Sequence, residues 1–140
     1  MTTSAEWAFV ALGSNVGDRA GCLAFARQRL AMLPGTRLTA ESAVEETEPL
    51  GPVPQGPFLN QMVLLRTRLT PHELLKHCRQ IERACGRVRR ERWGPRTLDI
   101  DIVRYGDHRT HDETLTLPHP ELPNRPFWQR EVEELEAHVG

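Results

Sequence analysis

A chain of 140 residues is long enough to close one hydrophobic core without disulfides, so a single domain spanning 1–140 is expected. Basic and acidic side chains nearly cancel to a formal net charge of -1, which excludes a global field of the kind that holds proteins on nucleic acid or an anionic membrane. The three cysteines, Cys22, Cys78 and Cys85, form no C-x-x-C pair, no stretch approaches the roughly 18 apolar residues of a membrane span, and no secretory leader pattern opens the chain; a cytoplasmic protein without a disulfide framework or zinc cluster is expected.

Residues Trp7–Leu12 are apolar and run into Gly13-Ser14-Asn15, which reads as a short buried strand entering a tight turn. Asp18 is placed to cap a helix over about Arg19–Leu33, where Leu23, Ala26, Leu30 and Leu33 recur at helical spacing and Pro34-Gly35 supplies the stop. Thr36–Ala43 reads as a strand. Thr47–Pro57 is so rich in proline and glycine that a surface loop is expected. Phe58–Leu69 follows as a strand, with Phe58, Asn60, Met62 and Leu64 on one face and Leu59, Val63, Leu65 and Leu69 on the other.

Thr70-Pro71-His72-Glu73 combines an N-cap, a proline at the first helical position and an acid at the third, the pattern of a capping box. The helix that it opens carries the stripe Leu74, Cys78, Ile81, Cys85, with Gly86 as a left-handed stop. Thr97–Tyr105 is the last predicted strand, and from Asp112 the chain is turn-rich, with a polar C-terminus for which helix is one option. Strand, helix, strands, helix, strand is the order of an α+β sandwich of the ferredoxin-like kind, a mainly antiparallel sheet with two helices on one face.

Within the last strand, alternation sends Leu98, Ile100 and Ile102 to one face and Asp99 and Asp101 to the other. Carboxylates two residues apart on a strand, about 6.6 Å by a rise of about 3.3 Å per residue, can converge on hard cations such as magnesium, which share oxygen ligands with substrate phosphates. The competing reading is a solvated strand face whose acids pair with arginines. Just before it, residues 86–96 hold five arginines, a concentrated polyanion site in a chain of almost no net charge. A solvated basic loop and a nucleic-acid patch, with Trp93 stacking on a base, both compete, but adjacent aspartates repel a phosphate backbone unless metal intervenes. Phe58 with Asn60 offers a stacking surface and an amide for a heterocycle edge, or else plain core packing. Pro118-His119-Pro120 and Asn124-Arg125-Pro126-Phe127 add a histidine, a cation and an aromatic ring.

Taken together, Gly13-Ser14-Asn15, Thr47-Glu48-Pro49-Leu50-Gly51, Phe58-Leu59-Asn60, Gly86-Arg87-Val88-Arg89, the run Arg92-Trp93-Gly94-Pro95-Arg96-Thr97-Leu98-Asp99-Ile100-Asp101, and Pro118-His119 closely resemble the 6-hydroxymethyl-7,8-dihydropterin pyrophosphokinases. The resemblance extends from about Ala8 to Phe127. It implies transfer of the β,γ-pyrophosphoryl group of ATP to a pterin hydroxymethyl oxygen, with AMP released. It further implies two magnesium ions on Asp99 and Asp101, and catalytic roles for Arg87 and for Arg92, acting from a mobile loop. By the same resemblance Glu82, Arg87, Arg89, Arg96, Ile102, His119 and Arg125 contact nucleotide, and Thr47, Pro49, Leu50, Phe58, Asn60, Trp93 and Phe127 form the pterin pocket. Arg79 and Pro120 depart from the family pattern and are left outside the predicted site. The partners expected are ATP and a reduced pterin, with no nucleic acid or membrane; a monomer is expected, with a homodimer as the alternative. A ferredoxin-like RNA- or nucleotide-binding module without catalysis is the alternative from another functional class.

Overall fold

In the computed structural model, residues 1–49, 56–89 and 98–140 are described, those at 87–89 by backbone alone. Strand β1 (Glu6–Ser14) leads to α1 (Arg19–Ala31), β2 (Thr36–Glu41), β3 (Glu45–Thr47), β4 (Phe58–Thr67), α2 (Pro71–Arg89) and β5 (Asp99–Tyr105); a small hairpin of β6 (Thr110–His111) and β7 (Thr116–Leu117) precedes a 3-10 turn at Leu122–Asn124 and α3 (Pro126–Glu136). The main sheet has the order β2-β4-β1-β5, with β3 pairing β4, and every pairing is antiparallel. This is the expected α+β sandwich.

Local chemistry accounts for the helix starts. The Asp18 side chain accepts from Gly21 N at 2.9 Å, so it caps α1 as predicted. At α2 the box is reciprocal: Thr70 Oγ1 accepts from Glu73 N at 3.2 Å while Glu73 Oε1 accepts from Thr70 N at 2.8 Å. Gly86, expected as a left-handed stop, instead lies within α2, which continues to Arg89; the described glycines with positive φ are Gly17, Gly35 and Gly106. A glycine inside a helix costs only about 1 kcal/mol, less than the buried stripe of Leu74, Cys78, Ile81 and Cys85 contributes. Thr47, expected in the loop, is the last residue of β3. The remainder of that loop from Leu50 to Gln55, like the start of the predicted strand at Thr97, lies outside the described residues.

The sheet is covered on both faces. Val10, Leu12, Val63, Leu65, Ile100 and Ile102 pack with α1 and α2 in one apolar layer, while Phe9, Ala11, Met62, Leu64 and Val103 pack on the other face with Trp128, Val132 and Leu135 of α3. The second layer is an addition to the expected two helices on one face. It gives the polar C-terminus a defined place, because Trp128, Val132 and Leu135 recur at helical spacing beneath a charged surface. All three cysteines are buried, and none is in a disulfide. Among the described residues no helix is long and apolar enough to cross a membrane.

The fully buried Tyr105 at the end of β5 donates its hydroxyl to the Leu69 carbonyl that precedes α2. Tyr105→Phe removes this donor while keeping the ring, and the expected loss is about 1 kcal/mol of unfolding free energy, read by urea denaturation. An unchanged midpoint would show that the bond contributes nothing net.

Candidate active site

One end of the sheet opens into a cleft of about 200 Å³, whose walls include Gly13 of β1, Thr47 of β3, Phe58 and Asn60 of β4, Asp99 and Asp101 of β5, and Arg125 and Phe127 at the start of α3. The topology explains the gathering. β1 lies inside the sheet, so Gly13, next to its last residue, has Asn60 directly across on one side and Asp99 on the other. A Cβ at Gly13 would stand 3.3 Å from Asn60 Oδ1 and 3.7 Å from Phe58 Cδ1, so a glycine lets the amide and the ring settle close over the strand. Asn60, 7 % exposed, donates Nδ2–H to Thr47 Oγ1, a bond that fixes which way its amide faces.

Asp101, partly buried at 31% side-chain exposure, has a charge state that departs from the ordinary. Burial raises its pKa, but the His119 imidazole and the Arg79 and Arg125 guanidiniums outweigh that, and the carboxyl is held below the usual range and stays ionised. His119 Nε2 lies 3.6 Å from Asp101 Oδ1, too long for a hydrogen bond. Its Nδ1 accepts from Glu121 N at 3.0 Å, which assigns the ring proton to Nε2, facing Asp101. The turn carrying His119 is docked on β5 by His119 N, which donates to Val103 O at 2.9 Å, and its ring meets Trp128 edge-on at 4.9 Å. The Arg125 guanidinium stacks 4.3 Å above the same Trp128 ring, and its buried Nε has no partner among the described residues.

A second cleft, of about 210 Å³, lies beside the first and is lined by Arg79, Asp101, Ile102, Thr114, Thr116, His119 and Pro120, among others. Asp101 is the residue common to both clefts. Arg79 and Pro120, left outside the predicted site, therefore stand in this wall. Glu82, expected at the nucleotide, makes bonds within the chain: its Oε2 accepts from Ile100 N at 2.7 Å and from Arg79 Nη1 at 2.6 Å.

Of the predicted pterin residues, Thr47, Phe58, Asn60 and Phe127 come together in the first cleft, whereas Pro49, half-buried, is not in its wall. Leu50, Arg92, Trp93 and Arg96, and the side chains of Arg87 and Arg89, lie outside the described residues, as does most of the loop expected to be mobile. Glu48 and Trp128 line the first cleft without having been singled out in the sequence. The spacing of Trp128 with Val132 and Leu135 is the signal that could have found the tryptophan. Among the described residues no three His, Cys, Asp or Glu side chains form a metal cluster. Two carboxylates, one of them firmly ionised, fit magnesium, which takes a few carboxylate oxygens and completes its shell with water and phosphate.

Residues 9–137 match the family model for 7,8-dihydro-6-hydroxymethylpterin-pyrophosphokinase. The chain is 49% identical over 120 residues to a 2-amino-4-hydroxy-6-hydroxymethyldihydropteridine pyrophosphokinase of Methylorubrum extorquens, covering 86% of this chain and 76% of the relative. Enzymes of the same description from Bacillus subtilis (43% over 123 residues, 86% of this chain and 72% of the relative) and Haemophilus influenzae (40% over 120 residues, 86% and 75%) are similar along the same region. With nearly the whole chain inside the match and identities far above the level at which function diverges freely, the chain belongs to the 7,8-dihydro-6-hydroxymethylpterin-pyrophosphokinase family.

Proposed function

We propose that the two clefts divide the two substrates of the family reaction between them, the pterin in the first and Mg-ATP in the second, with Asp101 at the point of transfer. The reaction follows from family membership: the protein is a diphosphotransferase of folate synthesis that moves pyrophosphate from ATP to the hydroxymethyl group of 6-hydroxymethyl-7,8-dihydropterin, releasing AMP. A non-catalytic RNA- or nucleotide-binding module is not favoured. The observation that carries the division is that Asp101 is shared by a cleft walled by the rings of Phe58, Phe127 and Trp128 and the Asn60 amide, with Arg125 also in its wall, and by a ring-poor one bearing Arg79, His119 and the hydroxyls of Thr114 and Thr116.

Phe58 and Phe127 would hold the pterin ring by stacking, and Asn60, braced by Thr47, would read its edge. Asp99 and Asp101 would hold two magnesium ions, which when bound neutralise phosphate charge at the attacking and leaving oxygens. Arg125, braced on Trp128, and His119 supply donors for phosphate oxygens. No covalent nucleophile of the protein is needed, because the primary alcohol itself attacks the β-phosphorus and catalysis comes from alignment and fixed charge. Residues 1–140 act in this scheme as one pyrophosphokinase domain, and as a monomer.

The direct test is AMP formation from ATP on adding the hydroxymethyl pterin, with and without magnesium; nucleotide binding without any AMP would leave only the module. Separability of the two clefts is tested by titrating a pterin analogue in the presence of a non-hydrolysable ATP analogue. Phe127→Ala should weaken pterin binding by about 0.5–1.5 kcal/mol beyond lost burial, and Asn60→Ala by about 1–3 kcal/mol, both leaving nucleotide affinity nearly unchanged. Equal losses of both ligands would move the pterin elsewhere.

A further inference from the structure

Ile100 stands between the two aspartates on β5, the strand at one edge of the sheet. Across from it Leu12 of β1 occupies the inner side, and the backbone of Ile100 turns the other way, toward α2. An edge strand normally presents such groups to water or to another strand. Here its N–H donates to Glu82 Oε2 at 2.7 Å and its C=O accepts from Arg79 Nη1 at 2.9 Å, while the same Nη1 lies 2.6 Å from the same Oε2. One acceptor and one donor, tied to each other, meet one residue's donor and acceptor, as the facing residue of a neighbouring strand would.

Two further observations give this clamp a purpose. The register of β1 with β5 shifts between Phe9 and Val10, so the inner pairing alone leaves β5 irregular just beyond Asp101. The Glu82 side chain is 7% exposed and its Arg79 partner 38%, and such a partly buried ion pair is a poor source of net stability. Its use at this point is better explained by geometry than by stability.

We propose that Arg79 and Glu82 are positioning residues that hold the Ile100 peptide from outside and so fix the spacing and direction of Asp99 and Asp101 toward the clefts. The inference rests on the reading that these aspartates hold the magnesium of the reaction. It assigns Glu82 a backbone rather than a nucleotide, and it brings Arg79 into the machinery as the partner that keeps the carboxylate in place.

Two readouts test it. In the metal-free protein, amide hydrogen exchange at Ile100 should be slow in the wild type and at least about 10-fold faster in Glu82→Ala, with Glu82→Gln, which keeps an acceptor, close to the wild type. In the assay, Glu82→Ala and Arg79→Ala should lower kcat by about 10–100-fold and raise the magnesium concentration needed for half-maximal rate, with pterin KM unchanged and Glu82→Gln restoring most of kcat. Arg79 is 38% exposed, so its variant keeps the test open if Glu82→Ala fails to fold. A raised ATP KM with wild-type kcat and magnesium dependence, or Ile100 exchange that does not change, overturns the proposal. With Asp101→Ala assayed alongside, an inactive Asp101 variant beside unaffected clamp variants sinks the clamp alone. An active Asp101 variant sinks the metal reading and the clamp's role with it.

Discussion

Asp101→Ala, and separately Asp99→Ala, is expected to lower turnover by about 100- to 1000-fold or more at saturating ATP, pterin and magnesium, the scale on which enzymes lose rate when one preorganised charge is removed. The effect should fall on kcat, because charge on the transferring group is greatest in the transition state. Folding should survive, since Asp101 lies in the wall of both clefts and outside the two apolar layers. Far-ultraviolet circular dichroism should therefore match the wild type while AMP production is nearly abolished. Near-normal rates in both variants would refute the assignment.

The second large effect concerns stability rather than rate. Glu131 of α3 is 3% exposed, and neither carboxyl oxygen has a hydrogen-bond partner of good geometry among the described residues. Burial, and then the Glu45 carboxylate of β3, push its pKa up to about 8, with Arg130 opposing and Glu134 adding to the rise. The sheet face beneath α3 is apolar at Phe9, Ala11, Met62, Leu64 and Val103. The native state thus keeps a proton on Glu131 that the unfolded chain releases near the ordinary value of 4.5. Between these values folding takes up a proton, so this group's contribution falls as pH rises from about 4.5 to about 8 and reaches its full penalty above that. Glu131→Gln removes the ionisation, and its advantage over the wild type should be near zero at the acid end and grow to about 2–4 kcal/mol on the alkaline side. Thermal melts of both proteins across this range measure it. A difference independent of pH would mean that Glu131 is not held protonated.

What could be read in advance follows the range of the interaction responsible. The capping box at Thr70–Glu73 and the cap at Asp18 are settled within four residues, and both appear as expected. The alternation that separates Asp99 and Asp101 from Leu98, Ile100 and Ile102 is likewise local. Gly86 lies within α2 rather than at its end because glycine serves both a helix end and a helix interior, and only the fate of the following chain distinguishes them. Glu131 gave no warning. A glutamate in a polar helix reads as solvated, and what buries it is β3 and a sheet face from distant parts of the chain. Resemblance alone marks Glu82 out in the sequence, and its bonds to Ile100 and Arg79 depend on how α2 lies along β5.

The central position of β1 has a consequence for the order of events during synthesis. Among the described strands β1 is made before its neighbours yet ends up inside the sheet: Ser14 must wait for Leu59, and Gly13 for Asp99, before the two edges of β1 are paired. Until β5 is complete, the nascent chain carries an apolar ribbon with an open side, a surface that invites chaperones or neighbouring chains. Both clefts also depend on residues beyond β5, among them His119, Arg125 and Phe127. A ribosome-tethered fragment released only as far as β5 should then hold a sheet without a working site, and competence should appear abruptly as α3 emerges.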